Sequence, residues 1–196
     1  MDLRLFFIEQ PQASTLALLD RKISGLARRQ EPIDGGRRLW VTHVPETATR
    51  PFLEARPFDI RVAPVRLSAA ETEDFRIGVG AAPTRCMVCR SADDESATLE
   101  VLFAIAAEVM SHCAALLEIT DGVGRRMFPI DPWECDFPAQ LLDTFPGTVY
   151  EIAHETDEGD LAMAWLVDAR WVRAWIGRHA ERPSATVSRF ASLDYT

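Results

Sequence analysis

Residues 97–120 read ATLEVLFAIAAEVMSHCAALLEIT, a long apolar segment followed directly by a shorter one. In the first segment the apolar residues recur at steps of three and four and polar positions are few, which predicts a helix covered on most sides. The second segment, Leu116–Thr120, is short and apolar, as a buried strand is. The middle of the chain is therefore expected to form a central helix followed by a strand.

The N-terminal half predicts one helix and several strands. Ser14 precedes apolar residues at helical spacing and is expected to cap a helix that ends before Pro32. Phe75, Ile77 and Val79 alternate with Arg76 and Gly78, which is typical of a half-buried strand. A proline at position 64 favours an edge strand or a bend. The predicted strands are Leu3–Ile8, Leu39–Val44, Phe58–Val65, Phe75–Val79 and Arg85–Arg90.

The C-terminal half predicts a mixture of short elements. Asp121, Gly122 and Gly124 indicate a turn, and Asp168 is expected to cap a final helix. The other predicted elements are a short helix at Ala139–Thr144 and strands at Val149–His154, Ala162–Val167 and Thr186–Phe190, with Pro183 ending the final helix.

Runs of strands between single helices indicate an α+β fold, since parallel strands would need a helix in each crossover. We expect a mostly antiparallel sheet with two or three long helices packed on it. The chain is interpreted as a single domain, 1–196, with a sub-lobe boundary near residues 121–138.

Composition narrows the function classes. The 196 residues are 47% apolar and 26% charged, as in ordinary globular proteins. No apolar run approaches the roughly 18 residues of a membrane span, and the N-terminus lacks the features of a secretory signal. A net charge of -9 disfavours nucleic-acid binding, because the phosphate backbone repels it. We expect a cytoplasmic protein that binds neither nucleic acid nor membrane.

Acidity is concentrated in one segment. No Lys or Arg occurs between Arg126 and Arg170, and these 43 residues hold ten of the 30 acids, whereas the rest of the chain has 20 acids and 21 bases. Such a segment is a solvated surface, a docking face for a cationic protein, for which Trp133 would be an aromatic anchor, or an acidic site for a divalent metal. A metal site is disfavoured because no D-x-D-x-D-G loop is present. The acids that we assign to this partner-binding surface are Asp131, Glu134, Asp136, Glu155, Asp157, Glu158 and Asp160.

The cysteines and histidines are the basis of an alternative function, that of a small metal- or thiol-dependent enzyme. Cys86-x-x-Cys89 has the spacing of a zinc or redox pair, but it falls in a predicted strand, where side chains three apart point to opposite faces. His154-Glu155 begins like a zinc-protease motif, yet Glu158 stands where the second His is needed. We therefore assign no catalytic residue, metal or cofactor. A small metal- or thiol-dependent enzyme using the Cys86/Cys89 region with His112 remains the alternative, and an oligomeric structural subunit is a third.

Two C-terminal motifs carry a family resemblance. The Pro-Gly-Thr-Val-Tyr-Glu-Ile segment at 146–152 and the Val-Asp-Ala-Arg-Trp segment at 167–171, which continues into Ala174-Trp175-Ile176, resemble an uncharacterised bacterial family over about residues 100–180. Such proteins are similar to the immunity proteins encoded beside polymorphic or type VI secreted toxins. The resemblance implies a binder that neutralises a cognate toxin, with no catalytic residues to transfer.

Overall fold

The computed structural model describes residues 1–42, 44, 52, 54–92, 96–128, 139–155 and 161–181. In this part of the chain eight strands form one sheet in the order β2-β3-β4-β5-β1-β6-β8-β7, and each neighbouring pair is antiparallel. The strands are β1 Asp2–Phe7, β2 Arg29–Ile33, β3 Gly36–Val41, β4 Arg56–Pro64, β5 Arg85–Ser91, β6 Ala115–Ile119, β7 Val149–Glu155 and β8 Leu161–Val167.

The helices of the same residues are α1 Ala13–Gly25, α2 Ala69–Val79, α3 Ser96–Met110, α4 Asp121–Met127 and α5 Ala169–Glu181, with a 3₁₀ helix at Ala139–Thr144. The predicted α+β class with a mostly antiparallel sheet is confirmed. None of these helices is both long enough and apolar enough to cross a bilayer.

The two faces of the sheet carry different cores. On one face α1, α3, α4 and α5 bury an apolar layer that includes Leu5, Phe58 and Leu117. On the other face, among the helices of the described residues, α2 packs through Phe75 over a smaller cluster that includes Phe6 and Leu166. Apolar side chains of β1 contribute to both cores, because neighbouring side chains along a strand point to opposite faces of the sheet.

Helix α3 is the central helix that its sequence predicts. Residues Val101–Phe103, Ile105 and Ala106 are fully buried. The ring of Phe103 lies 4.4 Å from that of Trp175 on α5, which ties these two helices together. The prediction of a covered helix followed by a strand is confirmed by α3 and β6.

The start of α5 is held by its cap. Asp168 accepts a hydrogen bond from the Trp171 amide through Oδ1 (2.9 Å) and one from the Thr148 amide through Oδ2 (3.0 Å). Gly147 has φ +150°, and a Cβ there would lie 2.6 Å from both Asp168 Oδ1 and the Trp171 amide nitrogen. The predicted cap is confirmed, and the Pro-Gly-Thr motif brings the chain against it.

The prediction of a strand at Phe75–Val79 is wrong, because these residues end α2. Ser68 and Glu71 form a reciprocal capping box, in which Ser68 Oγ accepts from the Glu71 amide and Glu71 Oε2 accepts from the Ser68 amide. Only Phe75 of the apparent alternation is buried, and Ile77 is 76% exposed. The cap determines the structure, and the alternation of apolar residues is coincidental.

Three further expectations are corrected, and one strand is added. Helix α1 is preceded by Gln12, not capped by Ser14, and Asp121–Met127 forms α4 after the Thr120 cap rather than a turn. Pro64 is the last residue of β4, which pairs on both sides, so β4 is not an edge strand. Residues 29–33 form the unpredicted strand β2, in which Pro32 is accommodated.

Some predictions lie outside the described residues, namely the end of the last helix at Pro183 and the strand Thr186–Phe190. The division of the chain into one domain with a boundary near 121–138 stays a prediction.

Candidate functional site

The predicted partner-binding residues fall almost entirely outside the described residues. Only Glu155 lies within an element, as the last residue of β7. The others are in the segments 129–138 and 156–160, and their role stays a prediction. They are Asp131, Trp133, Glu134, Asp136, Asp157, Glu158 and Asp160.

The described part of the acidic segment forms one side of the fold. The segment without Lys or Arg contains the 3₁₀ helix and strands β7 and β8, which are the last two strands of the sheet. Its described carboxylates include Asp143 and Glu151, both exposed, and Asp168, which caps α5. The segment 156–160 connects β7 to β8. The sequence segment that contains β7 and β8 thus carries ten acids and no basic residue.

The two outer strands of the sheet differ. Strand β2 has five residues, includes Pro32, which has no amide hydrogen to donate, and carries Arg29 and Glu31. These are features that discourage pairing with another strand. Strand β7 has seven residues and no proline. Within the described residues, β7 pairs only with β8, so its outer side is the edge better suited to another chain.

The opposite part of the sheet carries a row of cross-strand charges. Glu31, Arg38, Asp59, Arg90 and Asp2 are successive cross-strand partners on β2, β3, β4, β5 and β1, and they form a row of alternating sign that we call the charge ladder. Arg38 binds Asp59 through two hydrogen bonds (2.6 and 2.8 Å), and Arg90 binds Asp2 in the same way (2.8 and 2.6 Å).

The arginines of the charge ladder lower the pKa values of Asp59 and Asp2. The hydrogen bond from Arg38 lowers the pKa of Asp59, and that from Arg90 lowers the pKa of Asp2. Both aspartates are therefore charged and neutralised near pH 7. The ladder aspartates are thus compensated by arginines, whereas β7 and β8 are built from a segment that has no Lys or Arg.

The cysteines do not form a shared site. Cys86 lies in the α2-side cluster, and Cys89 lies in the larger core on the other face of β5. Burial raises the pKa of the Cys86 thiol and raises that of Cys89 to about 12. Two neutral thiols on opposite faces cannot ligate one metal or form a disulfide with each other. The expected opposite orientation of this pair is confirmed.

His112 adds no third ligand to that pair. Its Nε2 lies 3.2 Å from Glu108 Oε1 on α3, and the same carboxylate accepts a hydrogen bond from Lys22. The Lys22 bond is the main cause of the lowered pKa of Glu108. Among the described residues, no group of three or more His, Cys, Asp or Glu side chains is placed to hold a metal ion.

These observations define a class: an α+β protein whose described sheet is fully antiparallel, with the charge ladder on β1–β5 and a segment without Lys or Arg forming β7 and β8. The chain belongs to DUF6368, a family of unknown function, whose model matches residues 3–182. No curated protein and no solved structure matches it. The resemblance to immunity proteins therefore stays a prediction.

Proposed function

We propose that this protein is an immunity protein, which binds a cognate secreted bacterial toxin and neutralises it by covering the active site or substrate groove of the toxin. One observation carries the proposal: the acidic segment, which has no Lys or Arg, builds the neighbouring strands β7 and β8 at one end of the sheet. The contact charges are Asp131, Glu134, Asp136, Glu155, Asp157, Glu158 and Asp160, with Trp133 as the aromatic anchor.

Charge complementarity supports a basic partner. Toxins that act on nucleic acid need a cationic surface, and a single-sign acidic surface accelerates encounter with such a protein about 10- to 1,000-fold at low salt. The compensated charge ladder would contribute little to this attraction, because each of its aspartates is already paired with an arginine. The acidic half of the sheet is therefore the half that recognises the toxin.

The outer edge of β7, which has no strand partner among the described residues, supports the same location. An edge strand presents unpaired backbone groups, to which an extended segment of a partner can add. Glu151 is exposed on this strand, so a basic segment would meet both backbone groups and carboxylates there. The outer edge of β2 is less suited to such pairing, because Pro32 has no amide hydrogen to donate.

No specific observation favours the thiol- or metal-dependent enzyme. Its two cysteines are buried on opposite faces of β5. We place the immunity protein in the cytoplasm, where it would meet a toxin entering from a neighbouring cell, and we propose no nucleic-acid or membrane partner.

The test measures binding to the variable C-terminal domain of a secreted protein encoded beside this chain. The perturbation is charge reversal of four acids, Glu155→Lys, Asp157→Lys, Glu158→Lys and Asp160→Lys. We expect the association rate to fall at least tenfold in stopped-flow or surface-plasmon experiments and its salt dependence to flatten.

A matched control reverses four exposed acids outside the acidic segment and so makes the same change in net charge: Glu9→Lys, Asp34→Lys, Glu54→Lys and Glu73→Lys. We expect this variant to associate at nearly the rate of the wild type. Equal slowing of both variants would mean that only net charge matters, and an unchanged rate in the first variant would remove the assigned residues. A neighbouring protein that neither binds the chain nor is inhibited by it would refute the function.

A further inference from the structure

A cavity of about 390 Å³ lies between α1 and the sheet. Its helical wall includes Leu16, Leu19 and Ile23, and its floor includes Leu39 of β3 and Met87 of β5. Most of the lining is apolar, and the volume lies in the range of sites that hold small molecules. We call this space the α1 cavity.

One arginine at the α1 cavity is already paired with an acid. Arg37 donates to Asp20 Oδ2 (2.8 Å), Ser24 Oγ (3.1 Å) and Gln30 Oε1 (3.2 Å), so its guanidinium joins β3 to α1 and β2. The charge of Arg37 is balanced by Asp20. Arg37 therefore closes one part of the wall and leaves little capacity for a ligand.

A second arginine at the α1 cavity is uncommitted. Arg85, the first residue of β5, is half-buried and lines the same space. Its side chain makes no hydrogen bond or ion pair with another residue in the part of the chain that the structure describes. A half-buried guanidinium beside an apolar surface gains from a carboxylate, which can accept two parallel hydrogen bonds from it.

We propose that the α1 cavity binds an amphipathic monocarboxylate, with its alkyl or aryl body against the apolar lining and its carboxylate on Arg85. Arg85, a lining cation with no partner among the described residues, selects a single negative charge, and the apolar side chains that make up most of the lining disfavour a polar ligand such as a nucleotide. The site lies on the helix-covered face, at β3–β5, and is separate from the proposed toxin-binding strands β7 and β8.

The test titrates the purified protein with octanoate, decanoate and dodecanoate below their micelle concentrations, by calorimetry. Decylamine and decanol serve as probes of the same length with opposite or no charge. We expect the carboxylates to bind and both decyl controls to bind at least tenfold more weakly. No binding of any carboxylate, or equal binding of decanoate and decylamine, would overturn the proposal.

Two variants locate the site. Arg85→Met keeps most of the length of the side chain but removes its charge, and is expected to weaken decanoate binding about tenfold, the value of one charge-assisted interaction. Leu16→Trp fills the space and is expected to abolish binding. Arg61→Met, on the opposite face of β4, is the matched control and should bind as the wild type does.

Thermal unfolding of each variant distinguishes loss of the site from loss of the fold. Undiminished decanoate binding by folded Arg85→Met and Leu16→Trp would place the ligand elsewhere and overturn the proposal. Arg85→Met should leave toxin binding unchanged, so that failure of this inference and failure of the proposed function are seen separately.

Discussion

Replacing Gly147 with alanine should destabilise the protein by about 3–5 kcal/mol. A φ of +150° is a backbone conformation that costs a residue with a side chain about 1–3 kcal/mol. The added Cβ would also lie 2.6 Å from Asp168 Oδ1 and from the Trp171 amide nitrogen, which are the two atoms that form the α5 cap. Loss of a cap costs about 1 kcal/mol more, and displacement of the helix backbone accounts for the remainder.

Urea unfolding followed by tryptophan fluorescence measures this loss, because Trp171 and Trp175 are buried against α3. Gly177→Ala is the matched control: a Cβ added at this exposed glycine of α5 would meet no neighbouring atom within 4 Å, so alanine should stabilise the helix by about 0.5–1 kcal/mol. An unfolding free energy of Gly147→Ala within 1 kcal/mol of the wild type would refute the argument.

Three further predictions concern acidity, thiols and capping. Because the pKa of Asp59 is lower in the folded protein than its ordinary value of 3.8, ionised Asp59 stabilises the fold above that pH, and this stabilisation is lost as the pH falls. The difference in urea midpoint between wild type and Asp59→Asn should therefore shrink below about pH 4. A difference that stays constant with pH would contradict this. Iodoacetamide should modify the half-buried Cys113 before Cys89, seen by peptide mass spectrometry, and rapid labelling of native Cys89 would contradict its burial. Ser68→Ala should cost about 1 kcal/mol in unfolding free energy by removing the α2 capping box, with an unchanged midpoint as the contrary result.

Most of the sheet could be predicted from apolar patterning, because its strands are short apolar runs bounded by turn residues. The two failures at α2 and β2 have physical reasons. The five residues Phe75–Val79 fit both a strand and a helix, and only the capping box at Ser68 distinguishes them. In β2, charged residues and Pro32 conceal a strand that lies at the edge, where one face and one side need no apolar partner.

The candidate site was less accessible to sequence reasoning than the fold. Charge counting located the acidic segment and apolar patterning its two strands, but neither contained information about where in the sheet these strands would lie. No sequence pattern predicts the α1 cavity, because Arg37 and Arg85 are 48 positions apart in the sequence. The pairing of β3, β4 and β5 brings them to the same cavity. Sites of this kind depend on contacts between distant residues, which no local pattern encodes.

The charge ladder also restricts how the strands can align during folding. A shift of β4 by two residues relative to β3 would keep every apolar side chain on its own face, so hydrophobicity alone does not oppose it. In one such alignment Arg38 would stand opposite Arg61, and in the matching shift against β5, Arg61 would stand opposite Arg90. The repulsion between like charges makes these misaligned sheets unfavourable, and the row of paired residues thereby selects the native alignment among competitors that bury the same surface.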